Sequence, residues 1–314
     1  MADYPETVTE MHDWFPDEAA CRSYLERVRW PEGPRCPRCP AAKVWRMTPP
    51  FYRCGSCGHD FTVTAGTLFA NTKLPLRLWF ETLWYVVNQK NGVSALGVQR
   101  VLGLGSYPTA WRWLHKLRRA MVRPGRDRLS GTVEVDEVYV GGERSGPRGR
   151  GALGKALVLV VAQADGDKIG RIRLARIANA SGSELVGTVG RSVEPGSQVL
   201  TDGWEGYAGL EAHGYRRKVV RATAIVGENL LPRAHRVASL LKRWLLGTHQ
   251  GAVAHSHLDY YLDEFTFRFN RRTSRSRGLL FSRLLEQAVM LGPVRCEDLA
   301  GRRHKGLRQG ETHT

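Results

Sequence analysis

Two aspartates define the chemistry this chain could perform. Asp136 sits in Gly-Thr-Val-Glu-Val-Asp136-Glu-Val-Tyr-Val, and Asp202 follows Ser-Gln-Val-Leu-Thr and precedes Gly-Trp-Glu-Gly-Tyr. Both lie in or at the end of apolar, strand-like runs, 66 residues apart. Carboxylates on two strands of one sheet can be folded together to hold a divalent cation, a centre suited to phosphoryl chemistry. The competing reading is a pair of ordinary strand-end or turn acids, since Asp-Gly marks turns.

A second constellation is made of sulfur. Cys36 and Cys39 form one Cys-x-x-Cys knuckle, and Cys54 and Cys57 form another after 14 intervening residues. That spacing, with Gly58 behind the second knuckle, predicts a tetrahedral thiolate site for Zn²⁺ on a small ribbon of strands. Four cysteines leave no open coordination position, so the zinc is structural. Cys21 and Cys296 are left over as plain thiols.

Composition points to the partner. The 314 residues allow two or three domains. Lys and Arg number 47 against 30 Asp and Glu, a net charge of +17 that suits a polyanion, above all nucleic acid. No basic amphipathic anchor accompanies it, so a membrane is not the expected partner. The run from Ala156 to Ala162 is too short to span a bilayer, and the N-terminus lacks an apolar signal core. The expected location is the cytoplasm, where cysteines serve as metal ligands or buried thiols rather than disulfides.

The elements that must position these groups are legible in outline. Asp17 to Val28 is helically periodic, and Pro31 ends it. Leu76 to Lys90 carries Trp79, Leu83, Trp84 and Val87 at core spacing. Ser94 can cap a helix through Leu102, Gly103 breaks it, and Ser106 or Thr109 can cap a basic helix ending near Arg119. A short helix, a glycine turn and a basic helix make a helix-turn-helix shape, with Arg112, His115, Lys116 and Arg119 available to DNA. A generic helical hairpin with a solvated basic face is the alternative.

Residues 122–130 read as a linker. Beyond it, Thr132 to Val140, Ala156 to Ala164 and Lys168 to Ala178 predict strands. Ser181 caps a helix to Val193, and strands follow at Gln198 to Thr201 and Tyr215 to Val220. The segment Gly149 to Lys155 approaches a phosphate-binding loop. It fails because Ala156 replaces the metal-binding hydroxyl and a strand follows. With Arg144, Arg148 and Arg150 it reads as a basic hairpin loop, in contact with DNA or simply solvated.

Taken together, the zinc ribbon, the two short helices, the Asp136 and Asp202 motifs, the Leu240–His249 stretch and the Tyr261–Arg272 stretch resemble bacterial insertion-sequence transposases of the DDE superfamily. The likeness is to the subgroup with an N-terminal zinc ribbon and covers roughly residues 15–290. It implies an RNase H-like mixed α/β catalytic domain that cuts and joins DNA strands with Mg²⁺, or Mn²⁺. By this resemblance Asp136 and Asp202 are the first two acids of the triad and hold the metal. The third position lies seven residues before a helical Lys in Ser-Leu-Leu-Lys-Arg. Here that Lys is Lys242, and the residue is His235 rather than Glu, a variant that the subgroup contains.

Imidazole suits softer ions better than Mg²⁺. His235 would ligate through a water, favour Mn²⁺ or accept a proton, with Lys242 on a DNA phosphate. Glu264 reads as a structural or DNA-proximal acid, and Glu228 as a poor substitute for the missing third acid; His249, His255 and His257 read as surface or phosphate-facing imidazoles rather than a second metal site.

The expected organisation is a helical lead-in and ribbon at 1–65, a helix-turn-helix domain at 66–125, a catalytic domain at 131–290 and a basic tail at 291–314. The expected partners are the element's terminal repeats, target DNA and a second copy of the chain, in a homodimer or larger synaptic assembly. Two rival readings remain: a nuclease or resolvase on the same fold, and a zinc-containing DNA-binding regulator that has lost its chemistry.

Overall fold

A computed structural model describes residues 3–123, 125–141, 155–221, 230–251, 253–294 and 299. The arginine-bearing loop with Arg144, Arg148 and Arg150, Glu228, Cys296 and the tail beyond 300 lie outside the described residues. The chain divides into two compact units, residues 1–123 with 274–300 and residues 124–273 with 301–314. Among the described residues no helix is long and apolar enough to cross a membrane.

The first unit begins with helices α1 (Val8–Trp14) and α2 (Glu18–Arg29), capped by the side chains of Thr7 and Asp17. Strands β1 (Val44–Arg46), β2 (Phe51–Cys54) and β3 (Asp60–Thr62) then form an antiparallel ribbon. Trp30, Tyr52 and Phe61 are its small aromatic core. Helices α3 (Leu76–Asn88), α4 (Ala95–Val101) and α5 (Tyr107–Ala120) follow. Ser94 and Ser106 cap the last two, and Gly103 turns between them at φ +62°, where a side chain would be strained. The stripe expected on α3 is buried, and Trp79 stacks on Trp113 at 3.8 Å.

The second unit is a mixed sheet of β4 (Thr132–Val140), β5 (Ala156–Asp165), β6 (Lys168–Ile177), β7 (Gln198–Thr201) and β8 (Arg216–Val219), ordered β6-β5-β4-β7-β8. β4, β5 and β6 are antiparallel, whereas β7 and β8 run parallel to β4. Helix α6 (Gly182–Ser192) and the 3-10 turn Glu205–His213 cover one face. Helices α7 (Pro232–His249) and α8 (Leu258–Asn270) cover the other. This explains why β5 is apolar at nearly every position: Leu157, Leu159 and Val161 enter the α6 core, and Val158, Val160 and Ala162 the α7 core.

One boundary differs from the sequence reading. Helix α9 (Arg277–Met290), expected in the catalytic domain, packs in the first unit. Phe281 meets Phe15, Phe80 and Trp84, and Leu68 N–H bonds to Ala288 O. An amphipathic stripe states that a helix has a buried face, not which core receives it.

Candidate active site and zinc centre

The ribbon gathers its cysteines as spacing predicts. Cys36, Cys39, Cys54 and Cys57 place their sulfurs within 4.8 Å of one another. The Cys36–Cys57 and Cys39–Cys54 separations are 3.7 and 3.5 Å. A tetrahedron with Zn–S bonds of about 2.3 Å has edges of roughly 3.8 Å, so the thiolates fit the ion. Backbone N–H groups of Ser56 and Cys57 point at the Cys54 sulfur. The Cys57 N–H is the main reason the Cys54 thiol falls to about 6. Cys39 rises to about 12, because the hydrogen-bonded sulfurs of Cys57 and Cys54 outweigh a backbone N–H from Ala41. Four thiolates cannot coexist at this spacing without a cation between them.

The two aspartates meet through sheet register. β4 and β7 pair in parallel, with Thr132 opposite Gln198, Val133 opposite Val199 and Glu134 opposite Leu200. Each pair is offset by 66 residues, so continuing the register two positions sets Asp136 beside Asp202. Strand alternation puts Asp136 on the same face as Glu134, towards α7. There Asp136 Oδ2 lies 3.2 Å from His235 Nε2. Burial raises the Asp136 pKa above the usual carboxylate range; His235 opposes this and the Asp202 charge adds to it. Asp202 turns one oxygen, Oδ1, back to the Trp204 N–H at 3.0 Å. Among the described residues only the cysteines bring three or more ligand atoms within 4.8 Å of one another. The Asp136–Asp202–His235 set is therefore more open than a closed metal cage.

The Asp202 motif is built for this placement. A Cβ at Gly206 would lie 2.6 Å from Trp204 Nε1 and 2.9 Å from Ala180 O, so only glycine fits. Tyr207, fully buried, then reaches through to donate to Glu137 Oε2 at 2.8 Å. Burial raises both the Glu137 and Tyr207 pKa values, and the Asp136 and Asp202 charges add to both shifts. Neither residue stands out in the sequence; the available signal is an acid at 137, on the opposite strand face from Glu134 and Asp136.

Glu134 is the other residue that sequence reasoning missed. It is 1% exposed. It accepts from Arg233 Nη1 at 2.9 Å and from the backbone N–H groups of Arg233 and Ala234 at 2.7 and 2.9 Å. These are the orphan donors of the first turn of α7, so the carboxylate caps the helix that delivers His235. Glu134→Ala leaves the first-turn amides of α7 without their acceptor, while the half-buried Arg233 guanidinium keeps the carbonyls of Gly166 and Lys168. We expect a loss of about 1–3 kcal/mol in unfolding free energy. Glu134→Gln, which keeps an acceptor oxygen, is expected to lose less; denaturant titration of both variants checks this.

The remaining candidates divide. Lys242 is exposed on α7, seven residues beyond His235. Glu264 is buried and held by Arg268 at 2.8 Å, a structural pair. His249 packs between the rings of Trp244 and Tyr261. Asn270 clips α8 to the β6 backbone through both N–H and C=O of Ile172.

On α5, Arg112 is exposed and Arg119 half-buried, seven residues apart on one side of the helix. Lys116 is half-buried, its amine 6.0 Å from the Trp79 ring. His115 does not belong with them. It is 0% exposed, stacked on Trp111, with Nδ1 2.9 Å from the Trp111 carbonyl. Its place in the core, beside the buried Arg118, removes it from any DNA surface.

Residues 128–270, spanning the sheet, α7 and α8, match the ISXO2-like transposase domain. Residues 16–60 match the transposase zinc-ribbon domain. The chain is also 29% identical over 276 residues to an uncharacterized protein in transposable element ISH50 of Halobacterium salinarum, covering 81% of this chain and 91% of that protein.

Proposed function

For a chain that belongs to the insertion-sequence transposases of the DDE superfamily with an N-terminal zinc ribbon, we propose that it cuts DNA at its element's ends and joins the freed strand to a target. The observation that carries this is the 66-residue register of β4 on β7, which, continued two positions beyond Glu134 and Leu200, aligns Asp136 with Asp202. The strand order, three antiparallel strands followed by two parallel ones, agrees with an RNase H-like sheet.

Asp136 and Asp202 are the residues that would hold Mg²⁺ or Mn²⁺. Hard carboxylate oxygens suit such ions, and mutual charge repulsion beside a buried Asp136 is what a cation relieves. The ion would polarise the scissile phosphate and the attacking oxygen. His235 supplies an imidazole nitrogen against Asp136, able to accept a proton at Nε2 or to orient the carboxylate. Glu134 holds the first turn of α7, and so His235, in register with Asp136. Lys242 offers a point charge to a backbone phosphate. Arg112, Lys116 and Arg119 on α5, in a helix-turn-helix role, and the zinc ribbon would hold the element ends. Cutting two ends and joining them to one target calls for at least two copies of the chain.

A supercoiled plasmid carrying the DNA that flanks the coding region, with a second plasmid as target, tests this reading. We expect strand breaks at the element ends and joined products in Mg²⁺ or Mn²⁺. Breaks without joining would favour the nuclease reading. A second reading, a DNA-binding regulator without chemistry, is favoured by one observation: His235 brings an imidazole where a third carboxylate would add negative charge. Binding with no cleavage in either metal would establish it.

A further inference from the structure

A cavity of about 490 Å³ opens at the C-terminal end of β4, beyond Asp136 on the same strand and beyond His235 on the same helix. We infer that it receives a single unstacked nucleotide of the DNA strand being processed, with the base between apolar walls and a phosphate at its cationic rim. This deepens the proposed function and rests on it.

The lining has two characters. Leu245, Leu246 and Val253 give apolar walls, while Lys155, Lys242 and His255 bring basic side chains. Among the described lining residues there is no carboxylate. Among the described residues neither Lys155 nor Lys242 forms an ion pair, and both line the cavity. Leu246 is 62% exposed, an apolar surface in the same lining as Lys155 and Lys242. A flat apolar body carrying negative charge is what satisfies both halves, and a nucleotide is such a body. The volume falls within the range of single small-ligand sites, about 300–1,000 Å³, and is too small for a duplex. A base can enter only after leaving its stack, which is easiest at a strand end or beside a break.

His235 and Lys242 are seven residues apart on α7, roughly 10 Å along the axis. Asp136 and Val140 are four apart on β4, roughly 13 Å. The cavity therefore lies along the same seam as the carboxylates, within reach of a strand whose phosphate sits between them. Gly141 keeps this end open. It holds φ +146°, and a Cβ there would come within 3.3 Å of His255 Nε2 and 3.4 Å of the Lys155 backbone.

The test places 2-aminopurine singly at successive positions around the cleavage site in duplexes built from the flanking DNA. The full-length, zinc-loaded chain is added without Mg²⁺, and complex formation is followed by anisotropy. We expect a several-fold rise in 2-aminopurine fluorescence at one position. Lys155→Ala or Leu246→Glu should abolish the rise while binding persists; Leu246 is exposed, so its replacement spares the fold. A flat response at every position in a formed complex, or a rise that survives both variants, would overturn the inference. Displacement by polyglutamate as readily as by an oligonucleotide would reassign the cavity to acidic peptide. The readout needs no cleavage. A flat response beside intact joining removes the cavity assignment alone, and a localised rise without cleavage removes the proposed chemistry alone. Failure to bind flanking DNA removes both.

Discussion

Asp136→Asn should lower cleavage at the element ends by on the order of 10³-fold or more while binding of those ends changes by less than about twofold. The amide keeps the side chain's volume but removes the charge that would grip the metal. Misfolding would not explain the loss. Burial and the Asp202 charge raise the Asp136 pKa, so its ionised form is a cost to the metal-free fold. The sign follows from linkage. A carboxyl with a raised folded pKa contributes stability that is fully present below its unfolded pKa and is lost as pH rises through the folded value. At neutral pH the variant should thus be no less stable than the wild type without metal. Part of the wild type's stabilisation on mild acidification should be absent from the variant. Paired cleavage assays and thermal melts across pH check both statements.

Cys54→Ser, or prolonged chelation, should remove the ribbon as a folded element and cut end binding by at least about tenfold. Structural zinc contributes about 10–16 kcal/mol in small zinc peptides. The ribbon has little else: three strands of three or four residues around Trp30, Tyr52 and Phe61. Sheets this small do not stand alone in water. The second unit should survive, because its two cores lie on the faces of its own sheet. Metal analysis should find one zinc per wild-type chain and none in the variant. Far-UV spectra should keep the second unit's signal while tryptophan fluorescence changes around Trp30.

Much of the local structure is legible in the sequence. Serine caps at Ser94 and Ser106 open helices where side-chain oxygens can accept from backbone N–H groups. β5 reads as a continuous apolar run because both of its faces are covered. The four cysteines meet because knuckle spacing is a local constraint. Even the separation of the two aspartates equals the register offset of β4 against β7.

Long-range choices were less legible. Spacing on α5 could not show that His115 faces a core, since that depends on where its neighbours pack. The residence of α9 in the first unit depends on a cavity among Phe15, Phe80 and Trp84 that has no local signature. Glu134 reads as one more strand acid, and its role exists only once α7 ends its first turn upon it, 99 residues later in the chain. Tyr207 meets Glu137 across 70 residues in the same way.

In the proposed function Asp136 and Asp202 share a divalent cation. A crystal of the full-length protein grown with millimolar Mn²⁺, measured at the manganese absorption edge, tests it most directly. An anomalous peak between the two carboxylates, with His235 beside it, is the predicted result. An ordered site without such a peak, or with the two side chains turned away from each other, would rule out a shared cation.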